Sequence, residues 1–232
     1  MLIRSIIFYF LLYVWTLFLG IVCLPALLLP IKNVKKLANL WINGILGLLK
    51  FTCNISYKIQ GAVNIPDYPV IVASKHQSAF ETLLLFKLIN NAVFIHKREL
   101  FLIPIFGLYL KKSNMISINR TEGAQALRKM LNEVKQRILS GYSIIIFPEG
   151  TRKKPGEHPD YKTGIAGIYK ESEAEVLPVA VNSGHYWPKH TFIKRSGKII
   201  VKFLKPIPPK LDKFEFLKKI ELVIEEETNK II

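Results

Sequence analysis

The chain has 232 residues, of which 50% are hydrophobic and 22% are charged, and its mean hydropathy is +0.25. This composition excludes a disordered chain, and at about 150 residues per domain the length suits one domain with an appendage. Thirty-three Lys and Arg residues against 17 Asp and Glu residues give a net charge of +16, which predicts a polyanionic partner, either nucleic acid or anionic lipid.

The first segment of the chain is apolar and runs without a charge from Ser5 to Ile31, a stretch of 27 residues. At 1.5 Å per residue, its first 20 residues reach about 30 Å, the thickness of a bilayer's hydrocarbon core. The run is longer than the apolar region of a signal peptide, about 7–15 residues, and no Ala-x-Ala-like cleavage site follows it. We therefore expect a retained membrane anchor, bent near Pro25 and Pro30 because proline removes a helix hydrogen bond.

A second helix is predicted directly after the bend, with Asn33 as its N-terminal cap. Its apolar residues recur at steps of three and four, which favours a helix lying in the membrane interface, with an ordinary core-facing helix as the alternative. This stripe comprises Val34, Leu37, Trp41, Ile45, Leu48 and Leu49. We expect residues 1–53 to form a two-helix membrane anchor and residues 54–232 to form the remaining domain.

The charge pattern around the anchor bears on both location and partner. Lysines are more frequent after the apolar run than before it, which predicts that the rest of the chain lies on the cytoplasmic face of the inner or plasma membrane. The basic surplus then indicates attraction to anionic membrane phospholipids. Nucleic-acid binding is not expected, because no RNP-like, zinc-finger or basic-region pattern accompanies the charge.

Beyond the anchor, short β-rich runs bounded by turn residues predict seven strands. They are Ile55–Ile59, Val70–Ser74, Ala92–His96, Met115–Ile118, Ser143–Phe147, Val176–Val181 and Ile199–Phe203. The clearest helix runs from Thr121 to about Ser140, with Gly141 as its stop, and Asp212 and Glu215 are spaced as the capping box of a final helix. The apolar stripe of the helix from Thr121 comprises Ala124, Leu127, Leu131, Val134 and Ile138. Strands separated by helices predict an α/β fold with a mixed, largely parallel sheet covered by helices and chemistry in the loops after strands.

One such loop carries His76 and Glu81. Ser78 and Glu81 have the spacing of a capping box, and we accept that role for Ser78. His76 lies before the cap, where a carboxylate reaching back over one turn can hold its ring and stabilise the imidazolium. His76 is thus a candidate general base for a hydroxyl brought by the substrate, and an ordinary surface histidine is the alternative.

A second loop, Pro148–Lys154, follows another predicted strand. Gly150 permits a tight turn whose N–H groups can face an anion, and the guanidinium of Arg152 suits a phosphate. The alternative is a solvated turn that leads into a basic stretch. Lys97 and Arg120 also follow predicted strands and can lie at the same end of the sheet, unless they are plain surface cations.

Metal chemistry is not expected from this sequence. The remaining histidines lack a ligand pattern with nearby Cys, Asp or Glu, and two cysteines, Cys23 and Cys53, provide neither a CxxC pair nor a disulfide framework. The cysteine usage fits a reducing, cytoplasmic setting.

Four blocks in chain order resemble the glycerolipid acyltransferases, specifically the 1-acylglycerol-3-phosphate (lysophosphatidic acid) acyltransferase family. The resemblance covers about residues 54–183. Its blocks are His76-x4-Glu81, Met115 to Arg120, Phe147-Pro148-Glu149-Gly150-Thr151-Arg152, and Val176-Leu177-Pro178-Val179-Ala180, and Lys97-Arg98-Glu99-Leu100 resembles the family's Lys-x-Glu-Leu stretch. The chain departs from the family at Glu81, where the usual box has Asp, and at Lys75, where Asn is frequent.

The resemblance implies an enzyme of phospholipid biosynthesis with a glycerolipid-acyltransferase-like fold and an N-terminal anchor. It implies transfer of a fatty acyl group from acyl-CoA or acyl carrier protein to 1-acyl-sn-glycerol 3-phosphate, giving phosphatidic acid, with no cofactor beyond the thioester. His76 and Glu81 are then catalytic, Lys97, Arg120 and Arg152 bind the acceptor phosphate, and Glu149, Gly150 and Thr151 shape the substrate pocket.

Two alternatives stay open from the sequence. One is an acyltransferase that acts on another lyso-lipid or on glycerol 3-phosphate, and the other is a catalytically silent membrane-binding homologue, motivated by Glu81. A Ser78 esterase is disfavoured because Lys75–Ala79 is not a Gly-x-Ser-x-Gly elbow.

Overall fold

The fold is taken from a computed structural model that describes residues 1–119, 122–157 and 159–232. In these ranges the α-helices are α1 (Leu2–Val22), α2 (Ile31–Cys53), α3 (Phe80–Leu88), α4 (Phe106–Lys112), α5 (Gly123–Leu139), α6 (Gly164–Ser172) and α7 (Lys213–Asn229). The strands are β1 (Ile55–Gln60), β2 (Ile71–Ser74), β3 (Ala92–Lys97), β4 (Ile116–Ile118), β5 (Ser143–Ile146), β6 (Val176–Val181) and β7 (Gly197–Phe203). All seven predicted strands are present, with bounds that differ by at most two residues.

The strands form one sheet within the described residues, in the order β1-β7-β6-β2-β5-β3-β4. Neighbours are parallel except β6 and β7, which are antiparallel. The central strands β2 and β6 are buried at every position, which explains their continuous apolar sequences, because helices cover both faces of a parallel sheet. The predicted mixed, largely parallel sheet is confirmed.

Two apolar cores lie on opposite faces of this sheet. Val72 and Leu177 point toward α2 and α3, whereas Ile71 and Val176 point toward α5, α6 and α7. Residues on a strand alternate between faces, so one strand supplies both cores. The result is a three-layer arrangement that presents the loops after β2, β5 and β3 at one edge.

Helix α2 differs from its prediction in its start and, for half of its stripe, in its environment. It begins at Ile31 with Pro30 at the N-cap position, so Asn33 lies inside the first turn and is not the cap. Ile45 and Leu49 are buried in the core that α2 shares with the sheet. Val34, Ile45 and Leu49 of the predicted stripe therefore face the protein core, whereas Leu37, Trp41 and Leu48 are only partly buried. This supports the core-facing alternative for half of the stripe, and contact of α2 with the membrane interface stays a prediction. The division of the chain at residue 53 stays a prediction.

Helix α1 is long and apolar enough to cross a bilayer, and 11% of its most apolar window is buried. Its exposed apolar side chains are Leu2, Ile3, Ile6, Ile7, Phe10, Tyr13, Val14, Leu17, Phe18, Ile21 and Val22. A contiguous apolar surface of this kind marks an interaction site, and a lipid environment is the partner that its composition suits. A 3₁₀ turn over Leu24–Leu28 contains Pro25 and confirms the predicted bend.

Helices α1 and α2 pack as an antiparallel hairpin. The indole of Trp15 donates to the carbonyl of Trp41 at 3.1 Å, and the indole of Trp41 donates to Thr16 Oγ1 at 3.0 Å. At the other end of α1, Ser5 Oγ accepts the main-chain N–H of Lys194 at 2.8 Å. The first turn of α1 therefore contacts the segment just before β7, which belongs to the part of the chain that follows α2.

Helix α5 buries a face slightly rotated from the predicted stripe. Val134 is buried as expected, but Ala124 and Leu127 are exposed, and Ala126 and Met130 are buried instead. Leu127 borders a large cavity, which explains an apolar residue outside the packed face. The predicted stop after α5 and the predicted cap of α7 are confirmed, whereas the predicted start at Thr121 lies outside the described residues. Gly141 follows α5 with φ +84°, and Asp212 caps α7 by accepting the N–H groups of residues 214 and 215.

Candidate active site

The candidate site lies at the edge of the sheet where three neighbouring parallel strands end. His76 follows β2, Arg152 follows β5, and Lys97 is the last residue of β3. Because β2, β5 and β3 are adjacent and parallel, their C-terminal ends bring these loops together. The predicted convergence of Lys97 with the other two loops is confirmed, whereas Arg120 lies outside the described residues.

The imidazole of His76 and the carboxylate of Glu81 form a hydrogen-bonded pair. Nδ1 of His76 lies 2.9 Å from Oε1 of Glu81, and the Glu81 side chain is fully buried. A carboxylate that only accepts places the shared proton on Nδ1, which leaves the lone pair of Nε2 available as a base. The ring is 14% exposed and borders the large cavity, so a substrate hydroxyl can reach it.

Glu81 holds the helix start as well as the ring. Its Oε1 accepts the main-chain N–H groups of Gln77 at 2.7 Å and Ser78 at 2.6 Å, and its Oε2 accepts the hydroxyl of Ser183 at 2.7 Å. Ser78 Oγ accepts the N–H of Phe80 at 3.1 Å, so its hydroxyl satisfies one N–H at the helix start as expected, although Ala79 is the residue at the N-cap position. Ser78 is fully buried and is not among the described residues that border the cavity, which further disfavours it as a nucleophile.

The main chain and ring face of His76 are fixed by the loop that follows β5. Its N–H donates to Oε1 of Glu149 at 2.9 Å, and its carbonyl accepts the N–H of Lys153 at 2.9 Å. Phe147 stacks on the imidazole with ring centroids 3.8 Å apart and an interplanar angle of 15°. The two loops singled out from the sequence are therefore joined by two hydrogen bonds and a ring contact around the candidate base.

Glu149 borders the cavity, in keeping with the resemblance, and it also contacts the His76 loop. It is 1% exposed, and its two oxygens bind the His76 N–H and the ammonium of Lys75. Burial raises the pKa of the Glu149 carboxyl, while Lys75 and the His76 N–H act in the opposite direction. The Glu149 carboxylate thus holds the main chain of His76 in place. A direct contact of Glu149 with the substrate stays a prediction.

The turn after Glu149 presents polar groups to the cavity. Gly150 has φ +67°, a conformation that favours glycine, and its N–H donates to the carbonyl of Phe147 at 2.9 Å. Thr151 and Arg152 border the cavity and share a further cation, because Nζ of Lys189 contacts Thr151 Oγ1 at 3.1 Å and the Arg152 carbonyl at 3.2 Å. Together these groups give the site a strongly positive rim that suits a phosphate.

A cavity of about 1250 Å³ connects these groups to the apolar interior. Its wall includes the cations Lys97, Arg152, Lys162 and Lys189 and also many aliphatic and aromatic side chains from α1, α2, α4 and α5. Its volume exceeds the usual range for small-molecule sites, about 300–1,000 Å³. A cavity that is cationic at some positions and apolar at most others suits a phosphorylated lipid.

Sequence reasoning missed the partners that come from distant parts of the chain. Ser183 completes the contacts of Glu81, and Lys189 joins the cationic rim. The sequence places Phe147 at the end of a strand and in the third family block, but it does not predict the stacking of Phe147 on His76. No local pattern marks Ser183 or Lys189. Among the described residues, no group of three or more His, Cys, Asp or Glu side chains is arranged to hold a metal ion.

Comparison with known proteins places this geometry in a family. The sequence profile described as Acyltransferase matches residues 56–182. A Pseudomonas aeruginosa protein named 1-acyl-sn-glycerol-3-phosphate acyltransferase is 33% identical over 205 residues, which cover 86% of this chain and 78% of that protein. A Limnanthes douglasii protein of the same name is 30% identical over 184 residues, 78% of this chain and 65% of its own length.

A solved structure is similar over nearly the whole chain. The crystal structure of the 1-acyl-sn-glycerophosphate acyltransferase from Thermotoga maritima superposes with a TM-score of 0.81 and 26% sequence identity. The match covers 99% of this chain and 96% of that one, so the N-terminal hairpin is included.

Proposed function

Because the chain belongs to the acyltransferase family, we propose that it transfers a fatty acyl group to the free hydroxyl of 1-acyl-sn-glycerol 3-phosphate, giving phosphatidic acid. The observation that carries this proposal is the His76–Glu81 pair beside a cavity with both cationic and apolar walls. Relatives named for this activity support the choice of acceptor. The donor is a thioester, acyl-CoA or acyl carrier protein, and the reaction uses no further cofactor.

The proposed reaction is a direct transfer. Nε2 of His76 takes the proton of the acceptor hydroxyl as its oxygen attacks the thioester carbonyl, and the carbon–sulfur bond then breaks. The thiolate leaves readily, since an ordinary thiol of this type has a pKa of about 8.5, and it takes up the proton that His76 accepted. Glu81 stabilises the transient imidazolium through Nδ1–H, and no acyl-enzyme forms.

Substrate binding divides between the rim and the interior of the cavity. Lys97, Arg120 and Arg152 clamp the acceptor phosphate, with Gly150 and Thr151 shaping the turn, and Lys189 adds a fourth cation. The apolar wall of the cavity accommodates an acyl chain. An acceptor with a phosphate and an acyl chain is amphipathic and resides in a bilayer. The exposed apolar face of α1 holds the site at the cytoplasmic membrane surface among phospholipids.

An acceptor and donor panel tests this proposal. The purified chain is assayed with lysophosphatidic acid, lysophosphatidylcholine and glycerol 3-phosphate, each with acyl-CoA and with acyl carrier protein. Lysophosphatidic acid is expected to give the highest kcat/KM, because its phosphate is unmasked and its acyl chain fills the cavity. A preference for glycerol 3-phosphate or for a masked phosphate would assign the chain to another acceptor, and no transfer at all would favour a silent homologue.

A further inference from the structure

An ion cluster lies behind the His76 loop and is not used by the proposed chemistry; Lys75 and Glu149 are buried in it, and Glu225 is partly buried. Lys75 is 2% exposed, and its ammonium lies 2.8 Å and 2.9 Å from the two carboxylate oxygens of Glu225. The same ammonium lies 3.3 Å from Oε2 of Glu149. The hydroxyl of Tyr161 donates to Oε1 of Glu225 at 3.0 Å.

This cluster joins four separate parts of the chain. Lys75 directly follows β2, Glu149 follows β5, Tyr161 precedes α6, and Glu225 lies on α7. The C-terminal helix is thereby linked to the loop of the candidate base, although α7 contributes no group to the proposed reaction. The burial of Tyr161 beside these carboxylates raises the pKa of its hydroxyl, so it remains a donor.

Stability alone is a poor reason for such a cluster. Desolvation of buried charges offsets their attraction, and apolar side chains of similar size often serve equally well. The position of the cluster suggests a more specific role. Glu149 binds the ammonium of Lys75 through one oxygen and the main-chain N–H of His76 through the other. Lys75 is therefore linked to the candidate base twice, by the peptide bond to His76 and through the Glu149 carboxylate.

We propose that Lys75 is a positioning residue for His76, with Glu225 as the counter-ion that fixes its ammonium. The ammonium of Lys75 fixes one oxygen of Glu149, and the other oxygen of Glu149 accepts the His76 main-chain N–H, which sets the imidazole against Glu81 and the cavity. This inference rests on the proposed function in one respect, because its kinetic consequence presumes that His76 is the base.

Two variants separate positioning from a merely structural role. Lys75→Met removes the cation and leaves the carboxylates of Glu149 and Glu225 facing each other, so we expect a lower melting temperature and a lower kcat. Lys75→Met combined with Glu225→Leu removes that repulsion, so the melting temperature should recover. Glu149 still lacks its cation in the double variant, so kcat should stay low. Lys219→Met, an exposed lysine of α7, is the matched control.

The kinetic readout distinguishes loss of alignment from loss of binding. We expect kcat of the double variant to fall roughly 10- to 100-fold, the range for a slightly misplaced catalytic group, while KM for acceptor and donor stays within about twofold. Recovery of kcat together with the melting temperature would overturn the proposal, because Lys75 would then be structural only. A Lys75→Met variant with wild-type kcat would overturn it as well.

Hydrogen exchange of the His76 amide gives a second readout that does not depend on turnover. This N–H is donated to Glu149, so we expect its exchange in the full-length double variant to be about tenfold faster than in the wild type and in Lys219→Met. Unchanged exchange would overturn the coupling. If the wild type transfers no acyl group, the proposed function fails, and the exchange measurement still decides whether Lys75 positions the His76 main chain.

Discussion

Oε1 of Glu81 lies 2.9 Å from Nδ1 of His76 and accepts two main-chain N–H groups at the start of α3 as well. Capping and ring orientation, which compete as interpretations of the sequence, are therefore performed by one oxygen. The glutamate in place of the usual aspartate keeps the contact with the ring. This geometry supports an active enzyme over a silent homologue.

Substitution of Glu81 separates its two roles. Glu81→Gln keeps an acceptor for the helix start but loses the charge that stabilises an imidazolium, so it should fold normally and lose most activity. Glu81→Asp restores the residue of the family box and should remain active. Activity and melting temperature are measured side by side, and a fully active Glu81→Gln would leave Glu81 with capping alone.

Removal of the base should have a large effect on turnover. His76→Ala is expected to lower kcat roughly 10²–10⁴-fold, the usual contribution of a positioned general base, with the fold intact. Circular dichroism checks the fold and steady-state kinetics checks the rate. His185→Ala serves as the control histidine, and activity of His76→Ala within about threefold of wild type would contradict the assignment.

The cationic rim predicts a selective effect on the acceptor. Arg152→Ala removes a charge-assisted contact worth roughly 1.5–3 kcal/mol, so KM for lysophosphatidic acid should rise about 10- to 100-fold while the donor KM changes little. Lys189→Ala should act in the same direction, and the exposed Lys198 on β7 provides the control Lys198→Ala. An unchanged acceptor KM in both rim variants would locate the phosphate elsewhere.

The sequence predicts local features of this protein better than distant ones. The strands follow from short β-branched runs, and the His76–Glu81 pair follows from a spacing of five residues. Ser183 and Glu225 were missed because they reach Glu81 and Lys75 across 102 and 150 residues, which no local pattern records. The stripe of α2 has the same period in a protein core and in a membrane interface, so periodicity alone does not distinguish the two environments.

Lys194 makes the junction with α1 sensitive to pH. Its ammonium donates to the carbonyls of Thr191 and Phe192 and lies 4.6 Å from the ring centroid of Tyr9, and burial lowers its pKa from 10.5 to about 8. The unfolded chain therefore binds more protons than the folded one between about pH 8 and 10.5. The stabilisation from this group is complete above that window and is lost as the pH falls through it.

Thermal unfolding across this window tests the junction. The melting temperature of the wild type, relative to Lys194→Met, should rise between pH 8 and pH 10. The variant subtracts the contribution of every other titrating group. A constant difference across this range would show that Lys194 is not desolvated in the folded protein.

The hairpin of α1 and α2 predicts that both chain termini lie on one side of the membrane. Ser5 contacts Lys194, and the Sγ of Cys53 lies 3.8 Å from the carbonyl of Arg4, so the start of α1 is beside the domain. A cysteine at position 2, with Cys23 and Cys53 replaced by alanine, should react with an impermeant thiol reagent only in permeabilised cells. Labelling of intact cells would mean that α1 spans the bilayer.

The most direct test of the central claim is transfer of a labelled acyl group by the purified full-length chain. Lysophosphatidic acid and a labelled acyl thioester are supplied in vesicles, with acyl-CoA and acyl carrier protein in separate reactions. We expect label in phosphatidic acid that grows with time, requires lysophosphatidic acid and is nearly lost in His76→Ala. No label above the enzyme-free background with either donor, or equal label with His76→Ala, would contradict it.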